Sequence, residues 1–167
     1  MLIRLASIGD IPSIHHLAHQ IWWATYAEIL SAEQIEFMLH DMYSSEALQN
    51  QMTGGIQFIV AEKTEPLGFA GYSPATEGSA TKIHKLYISP AQQGKGVGSA
   101  LIRYILEETK KIEGSSLELN VNRNNPALQF YLKKGFQIKE EVDIPYYQFT
   151  LNDYVLEYTI PPSGSSF

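Results

Sequence analysis

Residues 82–99, K-I-H-K-L-Y-I-S-P-A-Q-Q-G-K-G-V-G-S, constrain the fold more than any other stretch of the chain. Ile83, Leu86, Tyr87 and Ile88 predict a β-strand, and Ser89-Pro90 ends it. The chain then runs through Gln93-Gly94-Lys95-Gly96-Val97-Gly98 into an amphipathic helix. Glycines let successive backbone N–H groups converge with no Cβ in the way, and a helix N-terminus carries partial positive charge. Strand, glycine turn and helix start together make an anion cradle suited to a pyrophosphate.

Three phosphate-binding patterns compete for this stretch. A P-loop needs G-x-x-x-x-G-K-[ST], which the chain does not supply. The dinucleotide fingerprint G-x-G-x-x-G starts at Gly94 and Gly96 but meets Ser99 where the third glycine belongs. It also lies mid-chain with no strand-borne acid in the expected place. The third pattern, [Q/R]-x-x-G-x-[G/A], is matched by Gln93, Gly96 and Gly98. It resembles the coenzyme-A pyrophosphate loop of the GNAT N-acetyltransferase superfamily.

With 167 residues, the expectation is a single domain over residues 1–160, followed by a loosely held tail at 161–167. The net charge of −6 argues against nucleic acid and favours a cationic small partner. There is no cysteine, so neither a disulfide framework nor protein thiolate chemistry is available. No signal peptide or membrane span is legible, which makes a cytoplasmic location and no membrane partner the expectation.

Residues 1–6 predict a short strand, and Asp10 a cap for a helix with Ile11, Ile14, Leu17, Ala18 and Ile21 inward. Ser31 with Gln34 forms a capping box for a helix carrying Ile35, Met38, Leu39 and Met42, and a shorter helix covers 45–52. Ile56, Phe58 and Val60 alternate with their neighbours as a strand that pairs with 67–73. After the glycine turn, Val97, Ala100, Leu101, Tyr104, Ile105 and Ile112 make a helical stripe ending at Gly114. A strand at 116–122, a helix opened by Pro126 and stopped by Gly135, and strands near 136–142 and 147–160 complete the chain. Strands interspersed but not alternating with helices imply an α/β mixed sheet with helices on both faces.

A second block agrees with the first. Residues 121–136, V-N-R-N-N-P-A-L-Q-F-Y-L-K-K-G-F, are similar to the GNAT segment V-N-x-x-N-x-x-A-x-x-F-Y-x-K-x-G-F. The resemblance implies the GNAT-like acyl-CoA N-acyltransferase fold, with a central, mostly antiparallel twisted sheet. It also implies acetyl-CoA as the cofactor. Backbone groups of Leu86, Tyr87 and Ile88 would pair with its pantetheine arm, the Leu86 amide stabilising an oxyanion at the thioester. Amides of Gln93, Gly94, Lys95, Gly96, Val97, Gly98 and Ser99 would hold the pyrophosphate. Asn124 matches the family asparagine on the pantetheine arm, although its type equally suits a helix cap. Tyr131 matches the family tyrosine near the cofactor sulfur, where a phenol can protonate the leaving thiolate.

The attacking amine must lose a proton, and His84 on the central strand is the foremost candidate base, with Glu118 and Glu28 behind it. A half-buried structural histidine is the competing account of His84. Trp22, Trp23 and Tyr26 could line an acceptor pocket that Tyr72, Tyr146 and Tyr147 close, an aromatic wall suiting an ammonium group. Core packing is the competing account of each. His15 and His19 share a helix face, but no H-E-x-x-H and no carboxylate partner accompany them in sequence. No metal is therefore expected, His16 and His40 notwithstanding.

The expected activity is direct acetyl transfer from acetyl-CoA to a primary amine. The pattern W-x-x-x-Y-x-x-I-L-S-x-E-Q-I resembles the bacterial branch with polyamine acetyltransferases, which implies a small-molecule amine acceptor such as a polyamine. Two rivals are a protein or peptide N-acetyltransferase and a non-catalytic acyl-CoA-binding sensor. Homodimers are common among members of the superfamily.

Overall fold

The computed structural model describes residues 1–162. Its strands are β1 (Leu2–Leu5), β2 (Gln57–Glu62), β3 (Pro66–Ser73), β4 (Ala80–Ile88), β5 (Ser116–Asn122), β6 (Gln137–Tyr146) and β7 (Phe149–Thr159). Its helices are α1 (Ile11–Tyr26), α2 (Ala32–Tyr43), α3 (Ser45–Thr53), α4 (Val97–Lys111) and α5 (Ala127–Lys133). The strand order is β1-β2-β3-β4-β5-β7-β6. β1/β2, β2/β3, β5/β7 and β6/β7 are antiparallel, and β4/β5 is parallel. The tail beyond Pro162 lies outside the described residues.

Two compact units divide the chain. The first joins Met1–Tyr72 to Lys85–Tyr104, and the second joins Ser73–His84 to the chain from Ile105. Strand β4 and helix α4 each contribute residues to both.

In the first unit, the inward stripe of α1 is the expected one: Ile11, Ile14, Leu17, Ala18 and Ile21 are all buried. Burying each large side chain contributes roughly 1.5–3 kcal/mol. Asp10, expected to cap α1, makes no side-chain cap bond there. Its carboxylate instead takes Arg4 Nη1 and Nη2 at 2.9 and 2.8 Å and the Ser7 amide at 2.8 Å. Only half of the expected capping box at α2 forms. Ser31 Oγ accepts the Gln34 N–H at 3.1 Å, while the Gln34 side chain turns to Met38 Sδ. Strand β2 departs from simple alternation, because Phe58, Ile59, Val60 and Ala61 are all buried. A strand covered on both faces reads as a continuous apolar run.

Glycine matters most at Gly68. A Cβ there would lie 2.8 Å from Tyr87 O and 2.9 Å from Ile88 Cδ1, so only glycine lets β3 approach the end of β4. Ser89 N–H then bonds Leu67 O at 2.9 Å and fastens the strand end.

The second unit packs Leu117, Leu119, Val121, Phe136 and Leu156 as core. Thr81 Oγ1 and Thr109 Oγ1, both buried, satisfy each other at 2.7 Å, and Thr81 Oγ1 also accepts the Ala75 N–H. Gly135 has φ +100°, the left-handed stop expected after α5. Ile112, expected inward on α4, is 41% exposed. It lies past the last helical residue, where the helical period no longer sets its direction.

Candidate active site

In the first unit, β4 leads through a 3-10 turn, Pro90–Gln92, into the glycine turn and α4. Gly94 and Gly96 have φ +77° and +85°, and a Cβ at either would meet nothing within 4 Å. Backbone conformation therefore demands glycine here, and the space over the turn is open. The first backbone bond entering α4 runs from Ala100 N–H to Gly96 O at 3.1 Å. Amides of Val97, Gly98 and Ser99 precede that bond, as unsatisfied first-turn donors do in any helix. Exposed Gln93 reaches back with Nε2 to Ile88 O at 3.4 Å, and Lys95 is exposed. Positive-φ glycines, open space and unsatisfied amides fit a pyrophosphate. Leu86, Tyr87 and Ile88 are half-buried.

Beside the strand end, the same unit gathers an aromatic cluster. The Trp22 ring lies 4.5 Å from Tyr26, 5.7 Å from Tyr43 and 6.0 Å from Tyr87. Tyr26 Oη and Tyr87 Oη are 3.4 Å apart. Trp22 Nε1 is buried with no hydrogen-bond partner, a donor whose orphaning costs about 1–3 kcal/mol. Trp23 points elsewhere. It is 37% exposed and lines a pocket of about 240 Å³ with His15, His19, Glu36, Leu39, His40 and Ser44. Tyr72 is buried and donates to Gln57 Oε1 at 3.4 Å.

Lys85 is the feature that reading the sequence missed. It is 7% exposed, with Nζ 4.6 Å over the Tyr43 ring. Burial drives its ammonium down to about 8, opposed by the Asp41 charge. The signal was present in the alternation of β4, where Thr81, Ile83 and Lys85 share the buried face.

In the second unit, His84 occupies the opposite, exposed side of β4. Its Nε2 lies 2.7 Å from Ser73 Oγ, at the end of β3. Burial would push the Glu118 carboxyl up, yet Lys82 and Lys139 together hold it below its ordinary value. Glu118 is therefore a charge partner and a poor proton acceptor; Glu28 is exposed on the first unit. β4 and β5 pair in parallel from Ala80↔Ser116 to Ile83↔Leu119, and β5 continues with β7 to Asn122↔Asp153.

Just before α5, Asn125 Oδ1 accepts the Ala127 N–H at 2.9 Å, while Pro126 holds the N-cap position. Asn124 is exposed, and its own N–H bonds Asn122 Oδ1. Tyr131 is buried, its ring 5.4 Å from Phe130 and 5.7 Å from Phe136. Tyr146 and Tyr147 form an edge-on pair at the β6/β7 turn, and Tyr147 is 71% exposed. Among the described residues, no three His, Cys, Asp or Glu side chains group to hold a metal ion. None of the described helices is long and apolar enough to cross a membrane.

Fold and cradle together define an acyl-CoA-dependent transferase. Residues 26–143 match the family described as "Acetyltransferase (GNAT) domain". The chain belongs to the GNAT family and is an N-acetyltransferase that uses acetyl-CoA. It is 30% identical over 145 residues to a spermidine N(1)-acetyltransferase of Thermoplasma acidophilum, covering 83% of this chain and 89% of that one. Among solved structures, the PaiA N-acetyltransferase of Thermoplasma acidophilum in complex with coenzyme A aligns with TM-score 0.82. That match is 27% identical and covers 96% of this chain and 100% of the other. A GCN5-related N-acetyltransferase of Rhodopseudomonas palustris shares the fold, with TM-score 0.82, 19% identity and 95% of each chain covered.

Proposed function

We propose that the acceptor is a small polyamine of the spermidine class, acetylated by direct transfer at the end of β4. The observation that carries this reading is the 30% identity, over most of both chains, to a spermidine acetyltransferase. The net charge of −6 supports it, because an acidic protein attracts a polycation. The family match takes in residues of both compact units, which supports treating residues 1–160 as one acetyltransferase domain.

Acetyl-CoA, when bound, supplies an acetyl group already activated as a thioester. Amides of residues 93–99 grip the pyrophosphate, with Gly94 and Gly96 holding the turn in its left-handed conformation. The Leu86 amide donates to the thioester carbonyl oxygen. His84 takes a proton from the acceptor's ammonium group, which must become a neutral amine to attack. The Ser73 hydroxyl, 2.7 Å from Nε2, accepts the Nε2–H in the neutral ring and in the charged one, which leaves the Nδ1 lone pair to take the proton. Tyr131 Oη supplies the proton that the departing sulfur needs. Asn124 binds the pantetheine arm.

A panel of amines with acetyl-CoA tests the reading, with free coenzyme A as the readout. Release dependent on spermidine or spermine is expected. Release only with amino-terminal peptides, or none with any polyamine, overturns it.

A further inference from the structure

We infer that His15 and His19 chelate a divalent transition-metal ion of the Cu²⁺, Ni²⁺ or Zn²⁺ class, at a site separate from acetyl transfer. The two residues are four apart on α1, a spacing that puts them on one helix face. Their rings lie 4.2 Å apart, tilted by 46°. His15 Nδ1 is 2.7 Å from Tyr43 O, and His19 Nδ1 is 2.8 Å from His15 O. A carbonyl only accepts, so each Nδ1 carries the hydrogen. In the neutral ring, each Nε2 is then left with a lone pair. Backbone carbonyls holding one ring nitrogen so that the other can bind is the outer-shell arrangement of histidine metal ligands. Neither Nε2 has a hydrogen-bond partner among the described residues.

The surroundings suit a cation. Sequence spacing offered His15 and His19 no carboxylate, but α2 brings Glu36 and His40 to the same pocket of about 240 Å³. No third side chain is grouped with the pair for direct ligation, so water completes the ion's shell, and Glu36 adds negative charge to the wall. Two imidazoles select by the general stability order, Cu²⁺ above Ni²⁺ and Zn²⁺. His15 also holds the last carbonyl of α2, so the ion sits beside the junction of α1 with the end of α2.

Trp23 lines the same pocket and gives an optical readout. Titrating the whole chain with CuCl₂ should quench tryptophan emission saturably. The apparent Kd should weaken at least tenfold in His19→Ala and His19→Gln, and stay unchanged in His16→Ala, whose side chain is exposed outside the pocket. NiCl₂ calorimetry should give one binding event per chain that Trp23→Phe retains and the His19 variants lose. Quenching and heats equal in the His19 variants and the native chain, or no saturable binding, overturn the site.

Discussion

Ser73 Oγ and His84 Nε2 lie 2.7 Å apart, joining the last residue of β3 to the exposed side of β4. Neither residue packs in the core, so the pair is a polar contact that the fold does not need for burial. The first prediction concerns the acid limb of the rate profile. His84→Ala should lower kcat by about 10²-fold or more and remove that limb. Ser73→Ala should lower kcat by about tenfold with KM for acetyl-CoA unchanged, and Ser73→Thr should restore most of the loss. An unaltered acid limb in His84→Ala rules out His84 as the base.

Tyr131→Phe should lower kcat while leaving acetyl-CoA affinity within about twofold, since the ring packing against Phe130 and Phe136 is retained. Calorimetry beside steady-state rates separates the outcomes. Lost affinity with normal kcat assigns Tyr131 to packing alone.

Lys85 should make stability rise with pH. Burial drives its folded value down to about 8, below the ordinary 10.5, so the unfolded chain binds more protons between those values. The penalty is fully present below pH 8 and is relieved as pH climbs towards 10.5. Lys85→Met should raise stability by about 2 kcal/mol at pH 7 and flatten the rise. Urea unfolding at pH 7 and pH 10 measures both.

Arg4 should govern acid sensitivity. The Arg4 guanidinium, through its hydrogen bonds, holds the Asp10 carboxyl down to about 2 from an ordinary 3.8 and also lowers Glu62. A carboxyl lowered in the folded state stabilises above its unfolded value, and that stability disappears as pH falls through the folded one. The thermal midpoints of the native chain and Arg4→Met should therefore differ most above about pH 4. They should draw together as pH falls through about 2 and converge below it, as Asp10 becomes protonated. A gap that stays constant across this range contradicts the assignment.

Much of this molecule was legible in the chain itself, because patterns that depend on local geometry survive folding. The glycine turn falls where the spacing placed it, with positive φ at Gly94 and Gly96; the stripe of α1 buried each residue expected. What escaped depended on partners distant in sequence. Asp10 looked like a cap until Arg4 and Glu62 met across β1 and β2. Neighbours Trp22 and Trp23 could not be parted without knowing which helix each faces. Asn124 and Asn125 are interchangeable by type, and only backbone geometry brings the Ala127 N–H to the second. Ser73 carries no motif, and its relation to His84 exists only once β3 and β4 are placed.

The central claim is that amides of the glycine turn hold the pyrophosphate of acetyl-CoA. Titrating acetyl-CoA into the native chain and into Gly96→Val by calorimetry tests it most directly. Gly96 has φ +85° and open space where a Cβ would go, so valine strains the turn without disturbing packed neighbours. Saturable binding to the native chain and a loss of at least 100-fold in the folded variant are predicted. Equal affinity in both would contradict the account.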